Sequence, residues 1–306
     1  MPTLRKQFVF AAKWLWVAAV LVAAAAIIAR SWDDIAAMLR TLGWGWIASS
    51  LALTAAAKLF LGVNAHVAAR RCGIEIGFTE AFRLYNLSQL GKYLPGSVWQ
   101  FIGRAAAYRN LGAHYGPIRD ALVCESLWIV AGASVVGAAL TGPALLGILT
   151  GSLSTFVAWW LGVGFGLALL AVVAAAIWKR AMLTRYARLA WPPARAVAAQ
   201  AGIWLLLGLG FWVLARGCGL SVGPVFAIGL FAAGYAVGFM VPIAPAGLGV
   251  RDAVLTLGLM PYVPAGEALA VTVMARIVYL VVDLALALGQ DAVFSLLGLR
   301  RAGRAA

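Results

Sequence analysis

Apolar residues form long runs in this chain, and short polar segments divide these runs into helices. The first run, Phe8 to Ala29, is long enough to span a bilayer. The segment Ser31 to Leu42 follows, where a serine N-cap and apolar residues at helical spacing predict a short amphipathic helix in the membrane interface. A second span is predicted from Trp44 to about Val67.

The rest of the chain alternates in the same way between apolar helices and polar breaks. A charge-free segment rich in Gly, Pro, Ser and Thr, residues 141–155, is predicted to be a connector, and residues 179–195 to be a basic loop. The predicted helices are 79–94, 97–110, 120–140, 155–178, 196–214, 224–241 and 266–288, with a short broken element over 246–260.

Two polar breaks interrupt these apolar helices. In the first, which lies within residues 86–104, a helix is predicted to end at Pro95-Gly96 and a new one to start at an angle. In the second, residues 242–252, the predicted break residues are Pro242, Pro245, Gly247 and Gly249. Polar broken helices are tolerated at bilayer depth only when they are packed in protein or line a cavity. The two breaks are therefore the predicted functional segments.

The two breaks belong to a weak internal repeat. Residues 69–77 align with residues 215–223, and each segment leads to an apolar helix, a proline break, an arginine nine residues after the proline, and a further span. If each break is a re-entrant hairpin, the span over 155–178 makes the two repeats inverted, as in many secondary transporters. This topology places fourteen Lys and Arg residues on the side of both termini, and only Arg30, Arg40 and Arg216 in the opposite loops. The positive-inside rule then predicts that both termini are cytoplasmic.

The composition supports an all-α polytopic membrane protein. Hydrophobic residues make up 64% of the 306 residues, charged residues only 11%, and the mean hydropathy is +0.95. The net charge of +14 is explained by cytoplasmic loops and anionic lipid headgroups rather than by nucleic acid. We predict a single transmembrane domain, divided into a first span with its interfacial helix (1–43), repeat one (44–141), a linking span with a basic loop (142–195), repeat two (196–290) and a basic tail (291–306).

Charged and amide side chains inside the apolar helices are the candidate site residues, because a charge costs a few kcal/mol there unless it meets a partner or water. Cations beside a helix break suit phosphate, since the free N–H groups of a half-helix also favour anions. For Lys58, Glu125 and Asp283, ion pairs that only hold helices together are an equal alternative. The predicted substrate-binding residues are Lys92, Arg104, Arg251, Asp252, Asn86, Gln89, Gln100, Glu125, Arg276 and Asp283.

Motifs for catalysis, cofactors and metals are not found in the sequence. It has no P-loop, no nucleophile elbow and no H-E-x-x-H, and neither histidine has a neighbour at metal-ligand spacing. We therefore expect no enzymatic activity, no cofactor and no metal. The three cysteines, Cys72, Cys124 and Cys218, are interpreted as small apolar residues.

The two polar breaks resemble a known family. Leu90-Gly-Lys-Tyr-Leu-Pro-Gly-Ser-Val-Trp99 with Gly103-Arg104, and the segment from Pro242 to Asp252, are similar to the signature segments of the lysylphosphatidylglycerol synthase transmembrane family. That family includes the flippase half of MprF-type proteins and stand-alone YbhN-like proteins. Its second signature usually reads P-x-P-G-G-L-G-x-R-E; here Ala246 replaces a glycine and Asp252 replaces the glutamate.

The resemblance implies lipid movement across the bacterial inner membrane, in MprF-type proteins of an aminoacylated phosphatidylglycerol. It does not imply the synthase activity, and lysyl-lipid specificity is not carried over. The predicted function is a flippase-like transporter of a phospholipid or aminoacyl-phospholipid, with membrane lipids as partners and homo-dimerisation left open. The alternatives are an integral-membrane transferase acting on a polyprenyl phosphate and a non-catalytic partner of a lipid synthase.

Overall fold

The computed structural model describes residues 32–93, 98–152, 191–240 and 249–296, together with positions 29, 189 and 247. These residues form helices joined by turns, as expected for an all-α protein. The predicted spans 8–29 and 155–178 lie outside this range except for position 29, as do residues 297–306 of the predicted basic tail; residues 291–296 of that tail are the end of the last helix. The helices are α1 (Trp32–Thr41), α2 (Trp44–Arg71), α3 (Phe78–Gln89), α4 (Trp99–Asn110), α5 (Tyr115–Ser152), α6 (Ala194–Gly217), α7 (Pro224–Met240), α8 (Val250–Leu259) and α9 (Ala265–Leu296), with a 3₁₀ turn at Leu90–Tyr93.

Several of these helices have the length and composition of membrane spans. Within the described ranges, the spans are Trp44–Arg71, Tyr115–Gly142, Ala194–Gly217 and Ala265–Gln290, and α7 is a shorter apolar helix. Large apolar side chains such as Leu205, Ile277 and Leu288 are half exposed or more on these helices. In a bilayer such side chains are solvated by lipid, so they carry no cost there.

Helices α2 and α6 cross the centre of the molecule and pack against each other along most of their lengths. Small residues on α2, Ala57, Ala65 and Ala68, are at most 1% exposed, and their size allows the two backbones to approach closely. The hydroxyl of Ser50 adds a polar link by donating to the carbonyl of Gly210 over 2.8 Å. This helix pair is the core against which the other helices are placed.

The turns after α2 and α6 have the same backbone structure. The amide of Gly73 bonds the carbonyl of Arg70 and that of Ile74 bonds Ala69; the equivalent amides after α6 are those of Gly219 and Leu220. Both glycines have a φ close to +85°, the left-handed conformation that glycine adopts without steric cost. The aligned sequences at 69–77 and 215–223 therefore fold alike.

The contacts between helices follow the same correspondence. Helix α9 packs on α2 and α3, and the equivalent helix α5 packs on α6 and α7. Such exchanged contacts are typical of two halves related by a pseudo-two-fold axis. The inverted orientation of the halves in the membrane and the proposed subdivision of the chain remain predictions.

Glycines are required in both broken segments, in the first for a close backbone contact and in the second for a positive φ. A Cβ on Gly91 would lie 2.6 Å from the amide nitrogen of Gln100, so only glycine lets the 3₁₀ turn contact the start of α4. In the second segment, Gly247 and Gly249 have φ values of +68° and +84°. The other predicted break residues, Pro95, Gly96, Pro242 and Pro245, lie outside the described residues.

The predicted connector at 141–155 is wrong for its first part, because α5 continues as a helix to Ser152. Thr141, at the start of this segment, contacts α7. A Cβ on Gly229 of α7 would lie 2.7 Å from side-chain atoms of Leu140 and Thr141, so α7 packs tightly on this part of α5. The hydroxyl of Thr141 also donates to the carbonyl of Gly137 over 2.8 Å, which satisfies it within the helix.

Candidate functional site

The buried carboxylate of Asp283 on α9 is the centre of a cluster of charges. Lys58 of α2 places its Nζ atom 2.5 Å from Asp283 Oδ1, and both side chains are 0% exposed. Two fully buried charges lose their hydration, so each depends on the other for stabilisation. The pair joins the first predicted repeat to the second.

The 3₁₀ turn supplies two further partners for the same carboxylate. Lys92 Nζ contacts Asp283 Oδ2, and the hydroxyl of Tyr93 donates to this oxygen over 2.7 Å. Lys92 is 12% exposed, in contrast to Lys58. The tight turn over Leu90–Tyr93 explains how adjacent residues reach one carboxylate. Of the two lysines that contact Asp283, Lys92 is therefore the one that a ligand can reach.

The ring of Tyr279, one helical turn before Asp283, lies beneath several cations. The distance to its centroid is 3.9 Å from Lys58 Nζ, 4.4 Å from Lys92 Nζ and 5.5 Å from the Arg251 guanidinium carbon. Arg251 of α8 also lies 4.5 Å from the centroid of Phe231. Cation–π attraction favours both placements. Among the described residues, Arg251 has no carboxylate within 4 Å.

Arg104 of α4 forms a separate buried ion pair with Glu125 of α5. Its side chain is 1% exposed and that of Glu125 is 6% exposed. The Nε atom of Arg104 donates to the hydroxyl of Ser88 over 3.2 Å, and the guanidinium lies 4.6 Å from the ring centroid of Tyr85. The Arg104 guanidinium therefore has partners within the protein, and its ion pair holds α4 against α5.

The second half of the molecule has the equivalent ion pair with the charges exchanged. Asp252 of α8 accepts hydrogen bonds from Arg276 of α9 over 2.8–3.1 Å, and its Oδ2 atom also accepts from the amide of Gly249 over 3.0 Å. The short helix provides the cation in the first half and the anion in the second. The matched spacing of Arg104 and Arg251 from their prolines therefore does not give matched contacts.

A glycine and a tryptophan occupy the position that corresponds to Lys58 and Asp283. Lys58 and Trp204 each lie fourteen residues before an aligned turn cysteine, and Asp283 and Gly132 each lie seven residues after the long-helix member of an ion pair. A Cβ on Gly132 would lie 2.8 Å from Trp204 Nε1. Each position combines one helix from each repeat, α2 with α9 and α6 with α5. The first position holds a buried ion pair, and the second holds an indole that fills the space above a glycine.

The predicted amide residues of the first broken segment differ in exposure and in hydrogen bonding. Asn86 is 0% exposed and donates to the carbonyl of Phe82 over 3.0 Å, while its Oδ1 atom has no partner among the described residues. Gln89 is buried and Gln100 is partly exposed. Within the described ranges, no three His, Cys, Asp or Glu side chains lie close enough to hold a metal ion.

Some contributing residues were not among the predicted site residues. The sequence marks Lys58 as a candidate charge, with a helix-packing ion pair as an equal alternative, but Lys58, Tyr93 and Ser88 are not among the predicted substrate-binding residues. The available signal for Lys58 was a lysine in the middle of an apolar span, which is rare without a partner. The tyrosine and serine have no such signal, because both residue types are common in membrane helices.

The helices and the buried charges together define a polytopic helical membrane protein. A family model for the lysylphosphatidylglycerol synthase TM region matches residues 15–287. The chain therefore belongs to this family, as its signature segments indicated. No curated protein matches the chain.

Proposed function

We propose that the protein moves a phospholipid or aminoacyl-phospholipid across the bacterial inner membrane, without catalysing a reaction of its own. Family membership supports a lipid-related role in a membrane. The observation that carries the proposal is the convergence of Lys58, Lys92 and Arg251 on the ring of Tyr279, with a single carboxylate between them.

Placing such a cluster inside an apolar protein costs free energy, so its presence favours a functional role. Each charge inside a membrane span costs roughly 2.5–3.5 kcal/mol by insertion scales. Neutral packing residues would hold these helices together without that cost, and Trp204 against Gly132 does so at the corresponding position. A polar headgroup passing between the lipid leaflets needs hydrogen-bonding partners at this depth, and the cluster offers them.

In this proposal the residues divide into ligands and positioning groups. Lys92 and Arg251 bind the headgroup phosphate, because both are partly exposed and neither is held in an ion pair of its own like that of Arg276 with Asp252. Lys58 and Asp283 fix the position of Lys92, and the pairs Arg104–Glu125 and Asp252–Arg276 hold the short helices in place. The headgroup enters between the two broken segments, and the acyl chains stay in the surrounding bilayer.

Reconstitution in liposomes tests the proposal. Phospholipids with a fluorophore on a short acyl chain are included, and the loss of fluorescence to an impermeant reductant reports movement between leaflets. We expect faster movement than in empty liposomes, and a return to the empty-liposome rate in Arg251→Gln. Equal rates with and without protein, over several phospholipids, would contradict the proposal. A new lipid product detected by mass spectrometry would favour the transferase instead.

A further inference from the structure

The charges of the Asp283 cluster, Arg251 and the two ion pairs Arg104–Glu125 and Arg276–Asp252, taken together, do not balance. The cationic side chains are Lys58, Lys92, Arg104, Arg251 and Arg276, whereas the carboxylates are Glu125, Asp252 and Asp283. Five positive charges against three negative ones leave an excess of two. Apart from Asp34 in α1 and Asp291 near the end of α9, the residues whose side chains are not described contain no Asp or Glu.

Each of the three carboxylates already has a cationic partner within the protein. Asp283 is contacted by two lysines and a tyrosine hydroxyl, Asp252 by Arg276 and a backbone amide, and Glu125 by Arg104. An amine on a substrate would therefore have to displace an internal cation to reach any of them. It would also approach an excess of positive charge, which repels it.

The excess charge is concentrated where a ligand can reach it. Among the described residues, the interaction partners of the Arg251 guanidinium are the rings of Phe231 and Tyr279, at 4.5 and 5.5 Å, and the residue is partly exposed. Aromatic faces attract a cation but do not neutralise its charge. A guanidinium in this condition has its planar set of N–H donors available for a phosphate, which it can bind in a bidentate manner.

We infer that the lipid moved by this protein has an anionic phosphate headgroup without an amino group, so that lysyl- and other aminoacyl-phospholipids are poor substrates. The inference rests on the proposed transport function and narrows its substrate class. The phosphate is bound between Arg251 and Lys92 above the ring of Tyr279. The negative charge of the headgroup offsets the excess of the cluster.

A comparison of four lipids in the liposome assay tests the inference. Phosphatidylglycerol, phosphatidic acid, phosphatidylethanolamine and lysyl-phosphatidylglycerol carry the same labelled acyl chain, so that only the headgroup differs. We expect the two anionic lipids to move at least about tenfold faster than the lysyl lipid, with phosphatidylethanolamine also slow. Equal or faster movement of the lysyl lipid would overturn the inference and leave the transport proposal standing.

If no lipid moves faster than in empty liposomes, the transport proposal fails and lipid binding decides the inference. Native mass spectrometry of the detergent-solubilised protein would then be used with equal amounts of phosphatidylglycerol and its lysyl derivative. Preferential retention of the anionic lipid supports the headgroup assignment, and equal or reversed retention overturns it. Uptake of radiolabelled inorganic phosphate without any lipid binding would assign the anion site to a free phosphate and overturn the lipid assignment.

Two variants test whether the preference for anionic lipid depends on the charged residues. In the native mass spectrometry competition, Arg251→Gln is expected to reduce the preferential binding of anionic lipid at least about fivefold, whereas the same change at exposed Arg70 leaves it unaltered. Arg276→Gln frees Asp252 from its ion pair and is expected to increase the relative movement or binding of the lysyl lipid. An unchanged preference in both cluster variants, with intact thermal unfolding, would overturn the inference.

Discussion

Lys58 on α2 and Asp283 on α9 form an ion pair in which neither side chain is exposed. The two residues come from opposite ends of the sequence, so the pair links the first half of the molecule to the last helix. Asp283 has additional partners in Lys92 and Tyr93, whereas Lys58 has no other carboxylate partner among the described residues. The carboxylate is therefore the more critical member of the pair.

Replacement of the two members should consequently have unequal effects. Asp283→Asn leaves two lysines without a counter-charge and is expected to destabilise the protein by about 3–5 kcal/mol. Lys58→Met leaves Asp283 with Lys92 and Tyr93, so a smaller loss is expected. Thermal unfolding in detergent measures both, with Glu75→Gln in the exposed pair with Arg70 as a control expected to cost under about 1 kcal/mol. An equal or larger loss for Lys58→Met would contradict the assignment of Asp283 as the shared partner.

The pair Arg104–Glu125 should behave as a structural unit. Arg104→Gln leaves Glu125 buried and unpaired and should cost about 3–5 kcal/mol, while the double change with Glu125→Gln should recover a large part of the loss. The measurement is a double-mutant cycle of thermal stability, run together with the lipid transport assay. If the double variant is stable and loses transport, Arg104 is a ligand of the headgroup rather than a positioning residue.

The contact at Gly91 gives a test of the first broken segment. A methyl group there would lie 2.6–2.7 Å from backbone atoms of Trp99 and Gln100, so Gly91→Ala should destabilise the protein by about 1–3 kcal/mol. Gly103 lies in α4 with no other atom within 4 Å of such a group, and Gly103→Ala should be neutral or stabilising by up to about 1 kcal/mol. Thermal unfolding compares the two, and similar effects would contradict the close approach of the 3₁₀ turn to α4.

The two equivalent turns provide a test of the inverted topology. In a background without the native cysteines, Glu75→Cys and Ser221→Cys place a thiol in each turn at an exposed position. The inverted arrangement predicts that an impermeant maleimide labels residue 221 in intact cells and residue 75 only after permeabilisation. Labelling of both positions from the same side would show that the two halves are parallel.

The sequence predicted the helices more completely than the contacts between them. The starts of α2 at Trp44 and of α7 at Pro224 follow from the tryptophan at the interface and from proline at a first helical turn. The extension of α5 beyond Thr141 was missed because Gly and Pro usually end helices in water. In a membrane the close contact with α7 favours the helix there.

The ionic partners were harder to predict because they depend on long-range packing. Periodicity indicated that Arg276 and Asp283 share one face of α9, and the structure places both in the charged cluster. It could not show that Asp283 is contacted from α2 and from the 3₁₀ turn, or that Arg251 contacts aromatic rings. Equal spacing from a proline suggested equal roles for Arg104 and Arg251, but neighbouring helices determine the partner of each.

Under the proposed function, the contact of Trp204 with Gly132 limits the number of lipid headgroups that one chain binds. If the two corresponding positions, Lys58 with Asp283 and Trp204 with Gly132, both carried charges, a headgroup could bind at either of them. Because the Trp204 indole occupies the second position, we expect each chain to bind one lipid headgroup, so that lipid binding saturates at one headgroup per chain.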